Sequence, residues 1–401
     1  MSSGALSSAE PSRPDRQIAE DARLLSGQLH ALRQTLFPPA AHKTLRTFSS
    51  REAAEWIGIS DAYLRQMTLA GEVAEPSKAG TRRVYTLEQI HNLRRTLARA
   101  KTRPYLPTRQ PGEHLQVIAV TNFKGGSGKT TTAAHLAQHL ALRGFRVLAI
   151  DLDPQASLSA LFGYQPETDL SPNTTLYGAV RYDDQARPLG DIIRRSYFPG
   201  LDVVPGNLEL QEFEHETPRA LAGQRNRAAT PFFARIAAAL ATVDDRYDVV
   251  VIDCPPQLGF LTLAALCAAS GVLVTVHPQM LDVASMSQFL LMTSDLLDVV
   301  RKAGGAARFD FLRYLITRFE PQDGPQAQVV AFLRNLFGPR VLTNAMVKST
   351  AISDAGLTKQ TLYEVGRQAL GRSTYGRALE SLDAVNREIE QLLRQSWKRP
   401  G

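Results

Sequence analysis

A glycine-rich segment with two lysines and adjacent threonines is the strongest chemical signal in the chain. It reads Lys124-Gly125-Gly126-Ser127-Gly128-Lys129-Thr130-Thr131. Glycines let backbone N–H groups turn toward phosphate oxygens, and a helix that follows would add its free N–H groups and the positive end of its dipole. Lys129 would reach the β- and γ-phosphates of a nucleotide, and the Thr130 hydroxyl would ligate Mg²⁺. The spacing therefore predicts a site for the phosphates of a nucleotide and for Mg²⁺.

Three aspartates at the ends of apolar segments are the candidate metal and water ligands. Asp151 and Asp153 follow the apolar run 147–150 with i, i+2 spacing, which places both on one side of an extended segment. Asp253 ends the run 249–252, an arrangement typical of a Walker B strand whose carboxylate holds Mg²⁺ directly or through water. The alternative for Asp151 and Asp153 is that they cap the following helix.

Apolar segments that alternate with helical stretches would position these groups. The segments are 117–121, 147–151, 201–204, 249–253, 272–277 and 312–317. Apolar runs of this kind, with helices between them, predict a largely parallel sheet covered on both faces. Ligands of such sheets bind beyond the carboxyl ends of the strands, which is where the glycine-rich segment and the aspartates fall.

Residues 47–100 predict three helices and a short strand. Ser49 and Glu52 form a capping box for the first helix, and Ser60 caps the second after a tight turn. The strand at 82–85 would form a wing before the third helix. The predicted fold class is therefore α/β: a P-loop domain with a mostly parallel, doubly wound sheet, preceded by a small winged helix-turn-helix domain.

The charge of the chain is concentrated near its N-terminus. The 401 residues carry 46 Lys and Arg against 39 Asp and Glu. Residues 1–110 hold 17 of the basic and 10 of the acidic residues, which leaves 29 of each for the remainder. A basic module beside a neutral body predicts that the module binds a polyanion, either nucleic acid or an anionic membrane surface.

Composition and patterning predict four segments. Residues 1–44 would be a disordered start and an amphipathic helix that dimerises or, alternatively, packs on the next domain. Residues 45–100 would be the DNA-binding domain, 101–113 a proline-containing linker, and 114–401 the ATPase domain.

Several classes of protein are excluded by what the chain lacks. Its two cysteines have no spacing typical of a disulfide framework or a zinc cluster, which favours a reducing, cytoplasmic setting. The N-terminal residues do not form a signal or transit peptide pattern. The longest apolar stretch, 261–276, is interrupted and too short to span a bilayer. A soluble protein is expected.

The glycine-rich loop departs from the common P-loop pattern at its start. Phe123 stands where the first glycine is usual, and Lys124 follows it. Over residues 115–391 the chain resembles the ParA/MinD class of P-loop ATPases, whose deviant loop carries an additional signature lysine. The resemblance implies weak, partner-stimulated ATP hydrolysis and a nucleotide-sandwich homodimer, with Lys124 reaching the other subunit's phosphates. Spacing alone leaves open whether Lys124 acts within its own chain or across the dimer.

The same resemblance implies roles for individual residues. Asp153, in the segment DLDPQ, would orient the attacking water, and Asp151 would lie nearer the metal. Pro278, after a later strand, would border the nucleotide, and the stretch 346–357 would lie near the base. The implied Mg²⁺ ligands are Thr130, Asp253 and Asp151. The implied catalytic residues are Lys124, Lys129 and Asp153.

The N-terminal module resembles the DNA-binding domain of MerR-type regulators, in which an arginine wing ending in tyrosine follows a helix-turn-helix. This implies that the start of the recognition helix reaches base edges or phosphates and that the wing contacts phosphate or the minor groove. The implied DNA-contacting residues are Ser60, Tyr63, Arg65, Gln66, Arg82 and Arg83. The alternative is a helical protein-binding domain with a solvated charged face.

A chain that combines a helix-turn-helix with a deviant P-loop resembles the long-form ParA proteins. The resemblance is strongest to the RepA proteins of repABC plasmids. The resemblance implies a cytoplasmic, nucleoid-associated partition ATPase that binds operator and nonspecific DNA, is stimulated by a ParB-type (RepB-like) centromere-binding partner, and represses its own operon. The alternatives are a MinD-like membrane-positioning ATPase with an amphipathic C-terminal helix at 389–399 and a repressor that only senses ATP. No membrane association is expected, since a terminal helix packed on its own domain is the simpler interpretation.

Overall fold

The structure is a computed structural model that divides into two units, with the boundary between Lys43 and Thr44. It describes residues 14–36 (side chains to 28), 43–73, 75–80, 82–100, 105–166, 168–223, 230–366 and 372–399.

The first unit contains one described helix, α1 (Pro14–Leu36), on which Ile18 and Leu25 are exposed. The start of the chain that was predicted to be disordered lies outside the described residues. Dimerisation through α1 stays a prediction.

The second unit begins with a small helical module. Its strands β1 (Phe48–Ser49), β2 (Ser77–Ala79) and β3 (Arg82–Tyr85) form an antiparallel sheet in the order β1-β3-β2, and its helices are α2 (Ser50–Ile57), α3 (Asp61–Leu69) and α4 (Leu87–Ala100). The predicted capping box of Ser49 and Glu52 is present, and Gly58 ends α2 with a left-handed φ of 85°. Strand β2 was not predicted, because its residues lack the apolar pattern typical of a strand; it pairs antiparallel with β3.

A seven-stranded sheet forms the body of the second unit. Its strands are β4 (Gln116–Thr121), β5 (Val147–Asp151), β6 (Arg194–Arg195), β7 (Leu201–Val204), β8 (Val249–Asp253), β9 (Gly271–Val276) and β10 (Phe311–Ile316). Their order is β10-β9-β4-β8-β5-β7-β6, and every neighbouring pair is parallel except β6 with β7. The predicted α/β fold class is confirmed. The two-residue edge strand β6 was not predicted.

Helices cover both faces of this sheet. They are α5 (Lys129–Arg143), α6 (Ser157–Leu161), α7 (Tyr177–Val180), α8 (Leu189–Ile192), α9 (Gln211–Ala222), α10 (Phe232–Ala241), α11 (Phe260–Ala268), α12 (Met280–Lys302), α13 (Gly324–Phe337), α14 (Thr350–Leu357) and α15 (Arg372–Ser396). Successive side chains of a strand point to opposite faces. Along β4, Ile118 and Val120 therefore join an apolar core with α5 and α15, whereas Val117 and Ala119 join a second core with α10 and α11.

The C-terminal helix α15 packs on its own domain. Ile389 and Leu393 are fully buried, and Trp397 is 6% exposed. The Trp397 indole Nε1 donates to the His114 carbonyl at 2.9 Å. The apolar side chains that a membrane-binding tail would insert into lipid are thus already part of the core.

Helix α12 is the one helix in the described parts of the chain that is long and apolar enough to cross a membrane, by length and composition alone. It lies against the body of the protein through Met286 and Phe289, which are buried.

The helical module is seated on the carboxyl end of α5. Arg94 of α4 is buried, and its guanidinium donates to the carbonyls of Trp56, of Tyr105 at 3.2 Å and of Leu142 at 3.4 Å. His91 Nε2 donates to the Ala141 carbonyl at 2.9 Å, and burial lowers the pKa of His91 to about 4. The last carbonyls of a helix lack intrahelical partners, so these donors complete the end of α5.

The described part of the expected linker, 105–113, lies along the surface of the body formed by the seven-stranded sheet and its helices. The Arg109 backbone N–H donates to Asp248 Oδ1 at 2.9 Å, and its Nε donates to the Tyr247 carbonyl at 3.0 Å. Arg399 Nη1 donates to the Pro107 carbonyl at 3.0 Å. These contacts tie the segment to the body along most of its described length.

Candidate nucleotide and metal site

The glycine-rich segment forms the loop between β4 and α5, at the centre of the sheet. Gly126 and Gly128 have φ values of 74° and 85°, in the left-handed region that favours glycine. A Cβ on Gly128 would also lie 3.4 Å from Thr317 Cβ. Helix α5 begins directly after the loop at Lys129, so its first backbone N–H groups are free to bind phosphate oxygens.

Side chains at the ends of the neighbouring strands hold this loop in place. Asn122 Nδ2, after β4, donates to the Thr275 carbonyl at 2.6 Å, and Thr275 Oγ1, in β9, donates to Ser127 Oγ at 3.0 Å. Thr317 Oγ1, after β10, donates to the Ser127 carbonyl at 2.7 Å. The sequence analysis missed these three residues. In the sequence, each of these residues is a polar residue at or just after the end of an apolar strand. That pattern identifies loop-holding residues only once the order of the strands in the sheet is known.

The unusual start of the loop is anchored to α12. The Phe123 ring stacks on Phe289 with centroids 5.6 Å apart. Beside it the Lys124 ammonium is paired with the Asp282 carboxylate, whose other oxygen lies 3.1 Å from His277 Nδ1. Lys124 is therefore engaged within its own chain, although 43% of its side chain is exposed.

Lys129 points back over the loop that precedes it. Its Nζ donates to the Lys124 carbonyl at 3.0 Å. Burial lowers the pKa of Lys129, and the nearby carboxylates of Asp253 and Asp153 partly offset that effect. A weakly solvated ammonium next to free N–H groups suits a phosphate ligand.

Asp151 shapes the turn after β5. Its Oδ1 accepts from the Asp153 backbone N–H at 3.1 Å, and its Oδ2 accepts from the Ser159 backbone at 2.8 Å and hydroxyl at 2.7 Å. Burial raises the pKa of Asp151 to about 6. Asp153 is only partly buried, and its Oδ1 accepts from the Gln155 backbone N–H at 2.9 Å. The alternative helix-capping role therefore describes the present contacts of Asp151, and its metal ligation stays a prediction.

Close backbone packing surrounds this turn. A Cβ on Gly206 would lie 2.9 Å from the Asp151 carbonyl oxygen and 3.0 Å from that of Asp153, so only glycine fits there. Ala156, which follows the turn, has a left-handed φ of 54°. The sequence analysis did not single out either residue.

Asp253 is a buried carboxylate with neither oxygen hydrogen-bonded within the described chain. Its Cα pairs with that of Asp151 across β5 and β8. Burial, and then the Asp151 carboxylate, raise the pKa of Asp253 well above its usual range, while Thr130 and Lys129 lower it. An orphaned carboxylate beside a threonine hydroxyl is an oxygen donor set that fits Mg²⁺, which commonly takes one or two carboxylates and completes its shell with substrate phosphates and water.

A cavity of about 360 Å³ adjoins the loop. One wall consists of loop and α5 residues, and the other of the segment 346–353, within the stretch expected near the base. The lining residues are Gly126, Gly128, Thr130, Thr131, Thr317, Arg318, Met346, Val347, Lys348, Ser349, Ile352 and Ser353. Pro278 is buried and is not among them, so its contact with nucleotide stays a prediction.

The expected DNA-contacting residues lie on the helical module. Three of them, Arg65, Arg82 and Arg83, line one groove of about 580 Å³ together with Arg51, which the sequence analysis missed. Arg65 is exposed and paired with Asp61 at 2.6 Å.

The other three expected DNA contacts occupy different environments on α3. Ser60 Oγ accepts from the Tyr63 backbone N–H at 3.1 Å, so Ser60 caps the helix, and Tyr63 packs partly on the core. Gln66 is exposed. The structure thus brings the three arginines together, whereas Ser60 and Tyr63 also serve the fold.

Comparison with known proteins shows which family and which solved structures this chain resembles. A family model described as an AAA domain matches residues 115–303. "Putative replication protein A" of Rhizobium rhizogenes is 58% identical over 381 residues, which cover 94% of each chain. Protein SopA of Escherichia coli (strain K12) is 30% identical over 371 residues, 90% of this chain and 92% of SopA. A solved structure described as a partition protein covers 93% of this chain and 98% of its own, with a TM-score of 0.64 at 18% identity, which shows a shared fold.

Proposed function

This chain belongs to the ParA/MinD family of P-loop ATPases, and we propose that it is a plasmid or replicon partition ATPase that dimerises with ATP and binds DNA. The observation that carries the proposal is the presence of a P-loop site and an arginine-lined helix-turn-helix groove in one compact unit. A nucleotide site that is joined to a DNA-binding module would let ATP control DNA binding, as partition and autorepression require.

The loop and α5 would bind the phosphates of ATP. Backbone N–H groups from Gly125 to Thr131 would cradle them, and Lys129 would leave the Lys124 carbonyl for the β- and γ-phosphates. The cavity beside the loop would take the nucleoside.

The carboxylates on the other side of the loop would support hydrolysis. Thr130 and Asp253 would hold Mg²⁺, with Asp151 shaping the neighbouring turn. Bound Mg²⁺ would neutralise charge that develops on the β- and γ-phosphates.

Asp153 is partly exposed and accepts one backbone hydrogen bond through Oδ1. It would accept a hydrogen bond from water and orient it for in-line attack on the γ-phosphorus; the bond to the ADP oxygen breaks, and ADP and phosphate result.

Dimerisation would redirect Lys124. In the family resemblance this lysine reaches the other subunit's phosphates, so it would have to leave Asp282 when ATP joins two subunits. A second cation near the γ-phosphate would stabilise the transition state as an arginine finger does.

The helical module would bind the operator of the protein's own operon, and the dimer would bind nonspecific nucleoid DNA. Arg65, Arg82 and Arg83 would supply base or phosphate contacts. A ParB-type, RepB-like partner would stimulate the weak intrinsic hydrolysis, and the protein would be cytoplasmic and nucleoid-associated.

Phosphate release from ATP, with DNA and the RepB-like partner present, tests the enzymatic part of this proposal. Asp153→Ala should lower the stimulated rate by ~100-fold or more, because the attacking water loses its orienting group, while ATP binding is retained. Lys129→Ala should lose nucleotide binding or hydrolysis. Asp184→Ala, at an exposed aspartate between α7 and α8 that does not line the cavity, is the matched control and should leave the rate unchanged. Equal rates for wild type and Asp153→Ala would favour the ATP-sensing repressor instead.

A further inference from the structure

Arg318 stands in a backbone conformation that L-residues with a Cβ rarely adopt. It follows β10 by two positions and has a φ of 52°. Non-glycine residues held in the left-handed region cluster at ligand sites, where the surrounding structure enforces the conformation. Five described residues other than glycine have a positive φ, and two of them, Ala156 and Arg318, follow strands of the parallel sheet, β5 and β10.

The Arg318 guanidinium lies directly on the phosphate loop. Its Nη1 donates to the Gly126 carbonyl at 3.0 Å. The preceding residue, Thr317, donates through Oγ1 to the Ser127 carbonyl at 2.7 Å. Two consecutive side chains thus engage two consecutive loop carbonyls, which turns those carbonyls outward and leaves the neighbouring N–H groups to face the phosphates.

Arg318 also lines the nucleotide cavity, between its two walls. On one side are Gly128 and Thr131 of the phosphate loop and α5; on the other is the segment 346–353. The backbone N–H groups just after the P-loop lysine face the α- and β-phosphates. Arg318 therefore lies where the phosphate chain would join the nucleoside.

The charge of Arg318 has no carboxylate partner among the described residues. The other cation at the cavity mouth, Lys348, is paired with Glu320 at 2.9 Å. Arg318 is exposed to solvent at this cavity, so its unpaired guanidinium is available to an anionic ligand that also binds the free N–H groups of the loop.

We propose that Arg318 binds the phosphate chain of a nucleoside di- or triphosphate at its nucleoside end, within the same chain that supplies the loop. The inference rests on the proposed function and adds a residue to the predicted site. A guanidinium has five N–H donors in a planar fork, so Arg318 keeps the Gly126 carbonyl with one and donates to phosphate oxygen with others. The strained backbone is the consequence of bringing an arginine to this point.

The test is the affinity for ADP, which needs no hydrolysis and no dimer. Arg318→Asn and Arg318→Gly both tolerate the left-handed backbone while removing the cation. Each should weaken ADP binding, measured by calorimetry, by ~10- to 100-fold, the range for a hydrogen bond to a charged group. Arg318→Lys should restore part of the affinity. Arg308→Asn, at an exposed arginine just before β10, is the control and should bind ADP like wild type.

If Arg318 served only to hold the loop through the Gly126 carbonyl, both variants would lose thermal stability without nucleotide, and added ADP would stabilise them as much as it stabilises wild type. The proposal predicts the opposite pattern: the unfolding temperature without nucleotide falls little, because only one exposed hydrogen bond is lost, while the stabilisation by added ADP shrinks in both variants. Wild-type ADP affinity in these variants would overturn the proposal. A loss confined to the ATP-bound dimer would also overturn it, because the residue would then act across the subunits. If the wild-type protein itself bound no nucleotide, the proposed function would fail as well.

Discussion

The Asp253 side chain is a buried carboxylate that lacks a hydrogen-bond partner among the described residues, at the position where Mg²⁺ would bind. Its carboxylate is buried, lies opposite Asp151 and accepts no hydrogen bond within the described chain. An ionised carboxylate in that position is destabilising unless a cation or a proton accompanies it. The free protein therefore carries unfavourable free energy at the point where Mg²⁺ would bind.

Replacing Asp253 with asparagine should stabilise the nucleotide-free protein. The pKa of Asp253 is raised well above its usual range and that of Asp151 to about 6, so the folded chain retains protons that the unfolded chain releases near pH 4. The free energy of unfolding should therefore fall as pH rises from about 4 past 6. Asp253→Asn should flatten this fall and, at pH 8, raise the unfolding free energy by about 1–3 kcal/mol in urea titrations, while Mg²⁺-dependent ATP turnover is lost.

Asp248→Asn is the matched control, because Asp248 is equally buried but fully paired. Its carboxylate accepts from Arg146 Nη2 at 2.8 Å and from the Arg146 backbone N–H at 2.8 Å. This substitution should destabilise the protein at pH 8. The same sign of change in both variants would contradict the difference drawn here between paired and unpaired carboxylates.

At the scale of elements, the strands that carry the motifs could be predicted and their surroundings could not. The segments ending in Asp151 and Asp253 were predicted with the observed bounds, because continuous apolar runs between helices are a strong signal. Asn122, Thr317 and Arg318 were missed, since their role depends on β4 and β10 lying on either side of β9. Strand order is a property of the folded sheet and leaves no local pattern in the chain.

Helix α3 and strand β3 both contribute arginines to the proposed DNA-binding groove. Arg65→Ala should weaken specific operator binding by ~1–3 kcal/mol if its guanidinium reads a guanine, whereas Arg82→Ala should weaken operator and random DNA alike, as expected for a phosphate contact. Mobility shifts with both DNAs at several salt concentrations would measure this. Arg95→Ala, exposed on α4 and absent from the groove lining, is the control. Unchanged operator affinity would remove Arg65 from the interface.

For the whole molecule, the central feature is the packing of the helical module against the carboxyl end of α5. The helix has 15 residues, so it spans roughly 22 Å from the phosphate loop to the carbonyls held by Arg94 and His91. Arg94, one of the arginines in the basic N-terminal quarter, is thus buried between the helical module and α5, so its charge does not contribute to the exposed basic surface of the module.

Arg94→Ala should weaken the packing of the helical module against the body of the protein. Three carbonyls, those of Trp56, Tyr105 and Leu142, would lose a donor, which should lower the free energy of unfolding by about 1–3 kcal/mol. Limited proteolysis should then cleave faster between residues 101 and 113. Arg99→Ala, exposed on the same helix, should match wild type in both measurements. An unaltered cleavage rate in the Arg94 variant would show that other contacts hold the helical module against the body of the protein.

The continuity of α5 has a thermodynamic consequence for the proposed switch. The phosphate loop lies at one end of this helix and the helical module packs against the other end. The proposed nucleotide site and the proposed DNA groove are therefore joined by one continuous helix. If nucleotide changes the affinity for operator by some factor, operator must change the affinity for nucleotide by the same factor. Operator DNA would then be an effector of the ATPase, and the number of operators in the cell would itself adjust how much of the protein holds ATP.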